Sequence, residues 1–328
     1  MWKMMGQISK NLTTAIPVAM TLGYLYGAWL PAAWLTHLII PFTFLMVYPM
    51  MVNLKINQVF RGGDNKAQAV TQLLNFAFVP FLAWGLGLLF FPNQPYMALG
   101  LLLAGLVPTS GMTISWTGFA KGNTAAAVKM TVIGLVLGSL ATPLYVRSLM
   151  GAAIEVDLWK VAQQIGLIVF LPMALGCATQ RYLVGRHGQK EFAGRLAPRF
   201  PALSTLGVLG IVFVALALKA KAIAGAPQML LAVLPPLLVL YGVNYLVSSL
   251  TGRAFLPRGD AIAMVYGSVM RNLSIALAIA LNAFGPAGAD AALVVAVAYI
   301  IQVQSAAWCV KFTGRIFGPS PEPVLAED

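Results

Sequence analysis

The chain has 328 residues, of which 59% are hydrophobic and only 9% are charged, and its mean hydropathy is +0.83. Because soluble globular domains carry about 25% charged residues, this composition excludes a soluble domain and predicts an all-α membrane protein embedded in the lipid bilayer. The net charge of +12 does not indicate nucleic-acid binding, because the basic residues lie in short segments between apolar runs, where positive charge sets membrane orientation.

Ten apolar runs follow one another along the chain, each close to the ~20 residues that cross a bilayer as a helix. The tail, residues 318–328, is acidic and contains several prolines, and is predicted to be disordered. The predicted spans are Leu12–Trp29, Leu35–Leu54, Ala67–Phe91, Tyr96–Ala120, Thr124–Met150, Leu158–Val184, Leu203–Ala224, Gln228–Thr251, Ala261–Phe284 and Ala289–Phe312.

The positive charges are divided unevenly between the two sides of these spans. With the N-terminus in the cytoplasm, 16 of the 21 Lys and Arg residues fall on the cytoplasmic side, 4 fall on the outer side, and Arg271 lies within span nine. This asymmetry predicts a multi-pass protein of the cell (inner) membrane with both termini in the cytoplasm. Lys129, two turns into span five, is expected to reach the cytoplasmic interface.

The two halves of the chain resemble each other faintly. Ile16-Pro17-Val18-Ala19-Met20 in span one is similar to Leu171-Pro172-Met173-Ala174-Leu175 in span six. A repeat of five spans is odd in number, so its second copy enters the membrane upside down. The sequence therefore predicts two inverted repeats, residues 1–152 and 153–317, which is the plan of many secondary transporters.

Span four contains a stretch that does not favour a helix, Pro108-Thr109-Ser110-Gly111. Proline lacks an amide donor and glycine loosens the backbone. In hydrocarbon, unpaired backbone groups cost several kcal/mol each, so an interruption persists only against protein or a wet cavity. Broken helices near the midplane are where secondary transporters build substrate sites. The alternative is a simple proline kink repaired by the neighbouring hydroxyl groups.

Span nine carries a second such stretch, Gly267–Ser274, at the corresponding place in the second half. Within it, Arg271 is the only charged residue placed deep inside a span. An arginine at the bilayer centre costs about 3 kcal/mol on insertion scales, so its side chain is expected to face protein or water. It would attract an anion or take the place of a coupling cation. The alternatives are snorkelling or pairing with backbone carbonyl groups.

Hydroxyl and amide side chains supply most other polar atoms at the predicted crossing of spans four and nine. All nine acidic residues fall in loops, span ends or the tail, although Asp260 or Asp290 could act from a span end. The two cysteines and two histidines form no metal-ligand cluster, so neither metal nor cofactor is expected. The polar candidates are Asn272, Ser268, Ser274, Thr109, Ser110, Thr113 and Ser115, joined by Thr131, Gln302 and Gln304 if they face the same cavity.

Two motifs at these interruptions resemble the bile acid/arsenite transporter superfamily, and within it most resemble the arsenical-resistance permeases, which export arsenite or antimonite. The first is Gly111-Met112-Thr113-Ile114-Ser115-Trp116 followed by Ala120-Lys121-Gly122-Asn123. The second is Arg271-Asn272-Leu273-Ser274 followed by Ala276-Leu277-Ala278. The resemblance implies a panel of spans one, two, six and seven beside a core of spans three to five and eight to ten. It also implies that discontinuous, crossed helices four and nine hold the substrate.

The chain departs from that pattern at its chemically important positions. Thr109 stands where the arsenite exporters typically carry a cysteine, and Ser274 stands where they carry a glutamate. The sodium-coupled branch carries glutamate and glutamine where this chain has Gly267 and Arg271. A guanidinium there disfavours sodium, because two unit charges at 4 Å repel by roughly 4 kcal/mol at an effective dielectric of 20.

The sequence favours a secondary transporter that exports arsenite or a related oxyanion by alternating access. Arg271 would supply fixed positive charge, and Gly111 and Gly267 would open the helices. Substrate ligands would come from Asn272, Ser274, Thr109, Ser110, Ser268 and Thr113. The same fold carrying an organic anion, such as a carboxylate metabolite, is the alternative. An enzyme or sensor is disfavoured, because no nucleophile–base pair or phosphate loop occurs in the spans.

Overall fold

A computed structural model describes residues 12–54, 64–154, 156–225 and 228–319. Every regular element in these ranges is helical, in agreement with the predicted all-α membrane protein. Seven stretches are long and apolar enough to cross a membrane, or eight if one bent helix pair counts as a single span. One of them, Val161–Lys221, covers 61 residues and contains a kink at Gly188, whose φ of 78° is not helical. The number of ten spans stays a prediction. The part of the predicted disordered tail that follows Pro319 lies outside the described residues.

Seven α-helices cover the first half of the described chain. They are α1 Leu12–Trp29, α2 Ile39–Val52, α3 Asn65–Leu73, α4 Val79–Phe90, α5 Pro95–Leu106, α6 Gly111–Phe119 and α7 Thr124–Met150. A 3-10 helix, Ala33–Leu38, leads into α2.

Seven more α-helices follow in the second half. They are α8 Leu158–Ile165, α9 Leu171–Glu191, α10 Phe200–Gly225, α11 Gln228–Phe255, α12 Arg258–Val269, α13 Leu273–Phe284 and α14 Gly288–Phe317. Between α9 and α10 the chain forms a π-helical turn and a short 3-10 helix, Phe192–Leu196 and Ala197–Arg199.

A π-helical turn, Leu74–Phe78, joins α3 to α4, and another, Gly166–Phe170, joins α8 to α9. Each turn precedes a proline, Pro80 or Pro172. Because the proline nitrogen carries no hydrogen, it cannot donate a hydrogen bond to the carbonyl group four residues earlier. For Pro80 that group is the carbonyl of Phe76, and it accepts a hydrogen bond of 2.6 Å from the Tyr145 hydroxyl of α7. A neighbouring helix thus supplies the bond that the proline removes, which is needed where no water is present.

Glycines set the closest helix contacts. α10 packs against both α1 and α2, and α2 also packs against α9. A Cβ atom at Gly27 of α1 would lie 2.0 Å from the Ala217 carbonyl oxygen of α10, and one at Gly207 of α10 would lie 2.3 Å from the Met46 amide of α2. Gly100 of α5 similarly meets Ala291 of α14, at 2.6 Å from the carbonyl oxygen. Small residues let helix backbones approach closely in lipid, so these positions fix the packing.

Replacing Gly27 with alanine is expected to destabilise the protein. The added methyl group would overlap the backbone of α10, and such overpacking costs about 1–3 kcal/mol. Thermal unfolding of the detergent-purified protein measures the effect as a lower midpoint. Gly85→Ala is the matched control, because nothing lies within 4 Å of a Cβ atom there, and alanine favours a helix over glycine by about 1 kcal/mol. A midpoint for Gly27→Ala equal to that of Gly85→Ala would contradict the proposed close packing.

Candidate functional site

The first interruption separates α5 from α6, and the two helices bend by 60° across it. Residues 107–110 lie outside both helices. Thr109 has a φ of 62°, in the left-handed region that a β-branched residue rarely adopts. Two glycines of α7 make room for this turn, since a Cβ atom at Gly134 would lie 2.6 Å from Thr109 Oγ1 and one at Gly138 would lie 2.5 Å from Pro108 Cδ. The prediction of a broken helix at this stretch agrees with the structure.

The second interruption separates α12 from α13 and comprises Met270, Arg271 and Asn272. The prediction that Gly267 opens this helix was wrong, because Gly267 lies inside α12. Its lack of a side chain serves packing instead, as a Cβ atom there would lie 2.8 Å from the sulfur of Met130 in α7. Asn272 caps the next helix, its Oδ1 accepting a hydrogen bond of 3.3 Å from the Ile275 amide. Gly111, at the first interruption, is the first residue of α6.

The two interruptions touch each other. The backbone N–H of Asn272, in the second interruption, donates a hydrogen bond of 2.8 Å to the carbonyl group of Val107 in the first interruption. On the same crossing, Thr113 Oγ1 lies 3.4 Å from the Tyr266 carbonyl oxygen and accepts a hydrogen bond of 3.2 Å from the Ser110 amide. Helices α6 and α13 therefore both begin at this crossing, where the N-terminal ends of their dipoles contribute partial positive charge.

Arg271 lies at the centre of the crossing. It is only 2% exposed, and its Nε, Nη1 and Nη2 atoms have no hydrogen-bond partner among the residues that the structure describes. Its side chain is not part of any ion pair in those ranges. The guanidinium group thus neither snorkels to a surface nor binds a backbone carbonyl there. An uncompensated buried charge costs several kcal/mol.

The backbone of Arg271, in contrast, is fully held. Its amide donates to Gln302 Oε1 at 2.9 Å, and its carbonyl group accepts from Gln302 Nε2 at 3.1 Å. The Tyr241 hydroxyl of α11 donates to the same Gln302 oxygen at 3.0 Å. Gln302 therefore joins the crossing as predicted, while Gln304 is exposed on α14 and Ser115 is exposed on α6.

Most of the predicted hydroxyl ligands already have partners within the protein. Thr109 Oγ1 is shared between the carbonyl groups of Pro108 and Thr131, at 2.6 and 3.1 Å. Ser268 Oγ donates to Asn244 of α11 at 2.9 Å, and Ser274 Oγ is hydrogen-bonded to the Tyr299 hydroxyl of α14. Ser110 is buried at the start of α6, where its side chain and that of Thr113 form a capping box.

Lys129 forms an ion pair with Asp64, the residue before α3, and both side chains are nearly buried. Its expected position at the cytoplasmic interface stays a prediction. A lysine in an apolar helix is stabilised by a carboxylate that the sequence places in a distant loop. The two candidate carboxylates from the sequence are paired as well, Asp260 with Asn123 Nδ2 at 2.7 Å and Asp290 with Lys219 at 2.7 Å.

Sequence reasoning missed four polar residues that support the crossing: Tyr241, Asn244, Tyr299 and Asn75. Asn75 Nδ2 donates to the Gly267 carbonyl at 3.1 Å, and Asn244 Nδ2 donates to the Ser268 carbonyl at 3.1 Å. Each amide is a lone polar group in a strongly apolar run. That isolation was the available signal, because buried polar side chains in lipid are expensive unless paired.

The crossing has the chemistry of an anion site. The Arg271 guanidinium has no partner among the described residues, and the N-termini of two helices at this crossing favour negative charge. In the described part of the chain, no group of three or more His, Cys, Asp or Glu residues could hold a metal ion. The arrangement can therefore bind an anion through hydrogen-bond donors.

Comparisons with known proteins identify similar chains. The sequence model of the sodium bile acid symporter family matches residues 40–226. The uncharacterised protein YbaS of Bacillus subtilis is 28% identical over 212 residues, which cover 63% of this chain and 66% of that protein. The arsenical-resistance protein Acr3 of Alkaliphilus metalliredigens is 23% identical over 338 residues, covering 95% of this chain and 94% of the relative. The uncharacterised sodium-dependent transporter YocS of Bacillus subtilis is 24% identical, covering 78% of this chain and 77% of its own.

Replacing Thr113 with valine is expected to weaken the crossing, because it leaves the buried Ser110 amide without its acceptor. Losing a buried hydrogen bond in this way costs about 1–3 kcal/mol, measured as a lower thermal-unfolding midpoint. Thr117→Val is the matched control on the same helix, since the Thr117 hydroxyl only adds a bond of 2.7 Å to a helical carbonyl group. Equal midpoints for the two variants would rule out a role for Thr113 in joining the interruptions.

Proposed function

This chain belongs to the sodium bile acid symporter family, and we propose that it is a secondary active transporter of a small oxyanion, which binds at the crossing of the two interrupted helices. The family and its Acr3 members are transporters, and the chain is accordingly a membrane transporter and not an enzyme. The resemblance expected from the two sequence motifs is confirmed at the level of the family.

One observation carries the proposal: the buried guanidinium group of Arg271 has no counter-charge within the described chain. A guanidinium presents its N–H donors as a planar fork that matches two oxygen atoms of an oxyanion. Bound there, an anion would compensate the charge. Asn272 flanks the same space as the cap of α13.

The first substrate candidate is arsenite or a related oxyanion, exported from the cell. Its support is the similarity to Acr3, a protein named for arsenical resistance, along 95% of this chain. Thr109 supplies a hydroxyl group at the position that the resemblance assigns to a cysteine. Recognition would therefore rest on hydrogen bonds to oxygen and not on a thiolate, the soft ligand that suits arsenic(III).

The second candidate is an organic anion with a carboxylate group. The observation that favours it is again the guanidinium group of Arg271, whose nitrogen atoms have no partner among the described residues. Arginine binds carboxylates through two parallel hydrogen bonds. Sodium coupling at this crossing is disfavoured for both candidates, since the fixed guanidinium repels a second cation at close range.

The finer architecture belongs to the same proposal. We expect ten spans in two inverted repeats, residues 1–152 and 153–317, in the cell (inner) membrane with both termini cytoplasmic. Support comes from the position of one interrupted helix in each half. Packing also supports a panel and a core, since α10 makes its most extensive contacts with α1 and α2, and α14 makes its most extensive contacts with α5 and α13.

Alternating access is supported by an asymmetry between α6 and α13, the second halves of the two interrupted spans. No residue of α13 is exposed, and this helix packs against α2, α8 and α10 of the proposed panel. In α6, by contrast, Gly111, Ser115, Gly118 and Phe119 are exposed. The proposed panel and core are thus in contact at one end and apart at the other. In the predicted orientation, the end in contact is the outer one.

Two polar contacts hold the closed end. Lys219 of α10 forms an ion pair of 2.7 Å with Asp290 of α14, and Asn282 Nδ2 of α13 donates to Thr43 Oγ1 of α2 at 3.3 Å. Both contacts join the proposed panel to the proposed core. Opening toward the outside would have to break them.

Counterflow in liposomes tests the transport function directly. Purified protein is reconstituted with unlabelled arsenite or succinate inside, and uptake of the same labelled anion is measured with pH and sodium gradients varied separately. Exchange of either anion supports oxyanion transport and selects between the two candidates. Absence of exchange for both, by a protein that is folded in the same detergent, would contradict the proposal.

Arg271→Ala is expected to abolish exchange while the protein still folds and inserts. Removal of the guanidinium eliminates the fixed charge but also relieves its burial, so the thermal-unfolding midpoint should not fall. Arg271→Lys is the matched control: it keeps the charge but loses the planar fork, and should exchange with a weaker apparent affinity. Exchange by Arg271→Ala at the wild-type rate would show that the charge has no part in substrate binding.

Reversing the charges of the ion pair tests the closed end. Lys219→Asp and Asp290→Lys, singly, are each expected to favour the outward-open state by a few-fold, because a partly exposed pair contributes about 0.2–1 kcal/mol. The double reversal should restore the wild-type balance. The readout is the labelling rate of Thr43→Cys by an impermeant maleimide added from outside, with Cys177 and Cys309 replaced by serine. Equal labelling in all four proteins would argue against a gate at this pair.

A further inference from the structure

Gln302 of α14 binds both backbone polar groups of one residue in an interruption, and no other described side chain does so. It is fully buried, and its amide group binds both the N–H and the C=O of Arg271, at 2.9 and 3.1 Å. A primary amide is suited to this task because it carries a donor and an acceptor side by side. Gln302 thus holds both backbone polar groups of Arg271 with one side chain, and the Arg271 N–H also donates to the Val269 carbonyl group at 2.9 Å.

The orientation of this amide is itself fixed. The Tyr241 hydroxyl donates to Gln302 Oε1 at 3.0 Å, so the oxygen faces the Arg271 amide and the nitrogen faces the Arg271 carbonyl. Tyr241, Gln302 and the backbone of Arg271 form a closed, buried hydrogen-bond network. Fully satisfied networks of this kind are rigid, and a partly satisfied one is costly.

The guanidinium group has no such support of its own, since its three nitrogen atoms lack partners in the described ranges. Its position is therefore set by its packing and by the backbone from which it extends. That backbone is held at residue 271 by Gln302 and by the bond to the Val269 carbonyl group, and at the next residue by the bond from Asn272 to Val107. Loosening the first of these supports would spread the guanidinium over several positions.

We propose that Gln302 is a positioning residue for transport, which fixes the Arg271 guanidinium at the crossing and thereby sets the affinity for the transported anion. This inference rests on the proposed function of Arg271. Gln302 acts through the backbone of Arg271 and does not itself touch the substrate. Preorganised donors bind an anion more tightly than mobile ones, because the cost of ordering them is already met on folding.

Gln302→Glu separates positioning from general stability, because its effect depends on protonation. A protonated carboxyl group has one donor and one acceptor, as the amide does, and can keep both bonds to Arg271. An ionised carboxylate loses the donor to the Arg271 carbonyl and places a negative charge beside the guanidinium. That charge would occupy the role of the transported anion. The described titratable groups around position 302 are Arg271 itself, Tyr241 of α11 and Tyr299 one turn earlier on α14.

The experiment measures KM and maximal rate for counterflow of arsenite and of succinate in proteoliposomes over a range of pH. For whichever anion the wild type exchanges, Gln302→Glu should raise KM by about tenfold at neutral pH, the equivalent of one lost buried hydrogen bond. Relative to the wild type at the same pH, its KM should recover as the pH is lowered. Gln302→Leu should raise KM by a similar factor at every pH, because leucine can form neither bond.

Two further variants serve as matched controls. Gln304→Glu makes the same chemical change two residues along α14, on an exposed side chain, and should leave KM unchanged. Tyr241→Phe removes the hydroxyl that orients the amide but leaves both bonds to Arg271, and should raise KM less than Gln302→Leu does. Thermal unfolding of each variant in detergent shows whether it is folded.

The outcomes distinguish this inference from the proposed function. A wild-type KM in folded Gln302→Leu, or a KM in Gln302→Glu that stays raised at every pH, would overturn the positioning role. If Arg271→Ala abolishes exchange while the Gln302 variants behave as the wild type, only the role of Gln302 fails. If Arg271→Ala exchanges normally, the proposed anion site fails, whatever the Gln302 variants do.

Discussion

The structure is organised around a buried positive charge that the described protein does not neutralise. The guanidinium of Arg271 lies where two interrupted helices touch, with none of its nitrogen atoms hydrogen-bonded there. A cation in a low-dielectric interior is strongly unfavourable unless it is paired. This unpaired charge is the basis of the proposed anion site. The chain around it is arranged to hold the backbone of this residue in place and to leave the side chain free.

Interrupted helices are permitted here only because protein surrounds them. In lipid, each unpaired N–H or C=O group costs several kcal/mol, and the structure supplies partners for these groups from other helices. Asn272 binds Val107 across the crossing, and Thr113 binds the Ser110 amide at the start of α6. The same solution recurs away from the site, where Tyr145 binds the Phe76 carbonyl that Pro80 leaves open. The hydroxyl groups that the sequence offers as ligands are therefore largely used to hold the backbone.

The same use of polar groups bears on the predicted ligands. The guanidinium nitrogens of Arg271 have no partner among the described residues, whereas Thr109, Ser268 and Ser274 are already hydrogen-bonded within the protein. From sequence, a hydroxyl that binds substrate and one that binds a carbonyl group look identical. Gly267 was misread for a related reason. The sequence does not distinguish a glycine that loosens a helix from a glycine that makes room for a neighbouring methionine.

The sequence by itself determined the membrane class, the family resemblance, the broken helix at Pro108 and the presence of one deeply placed charge in span nine. These follow from local chemistry: apolar length, the missing amide donor of proline, and the rarity of arginine in lipid. Only the tertiary structure decided which partner each polar group has, as with Asp64 for Lys129 and Gln302 for Arg271. Those pairs are 65 and 31 residues apart along the chain, and no local pattern encodes them. They depend on which helix faces meet, and that is settled by packing across the whole molecule.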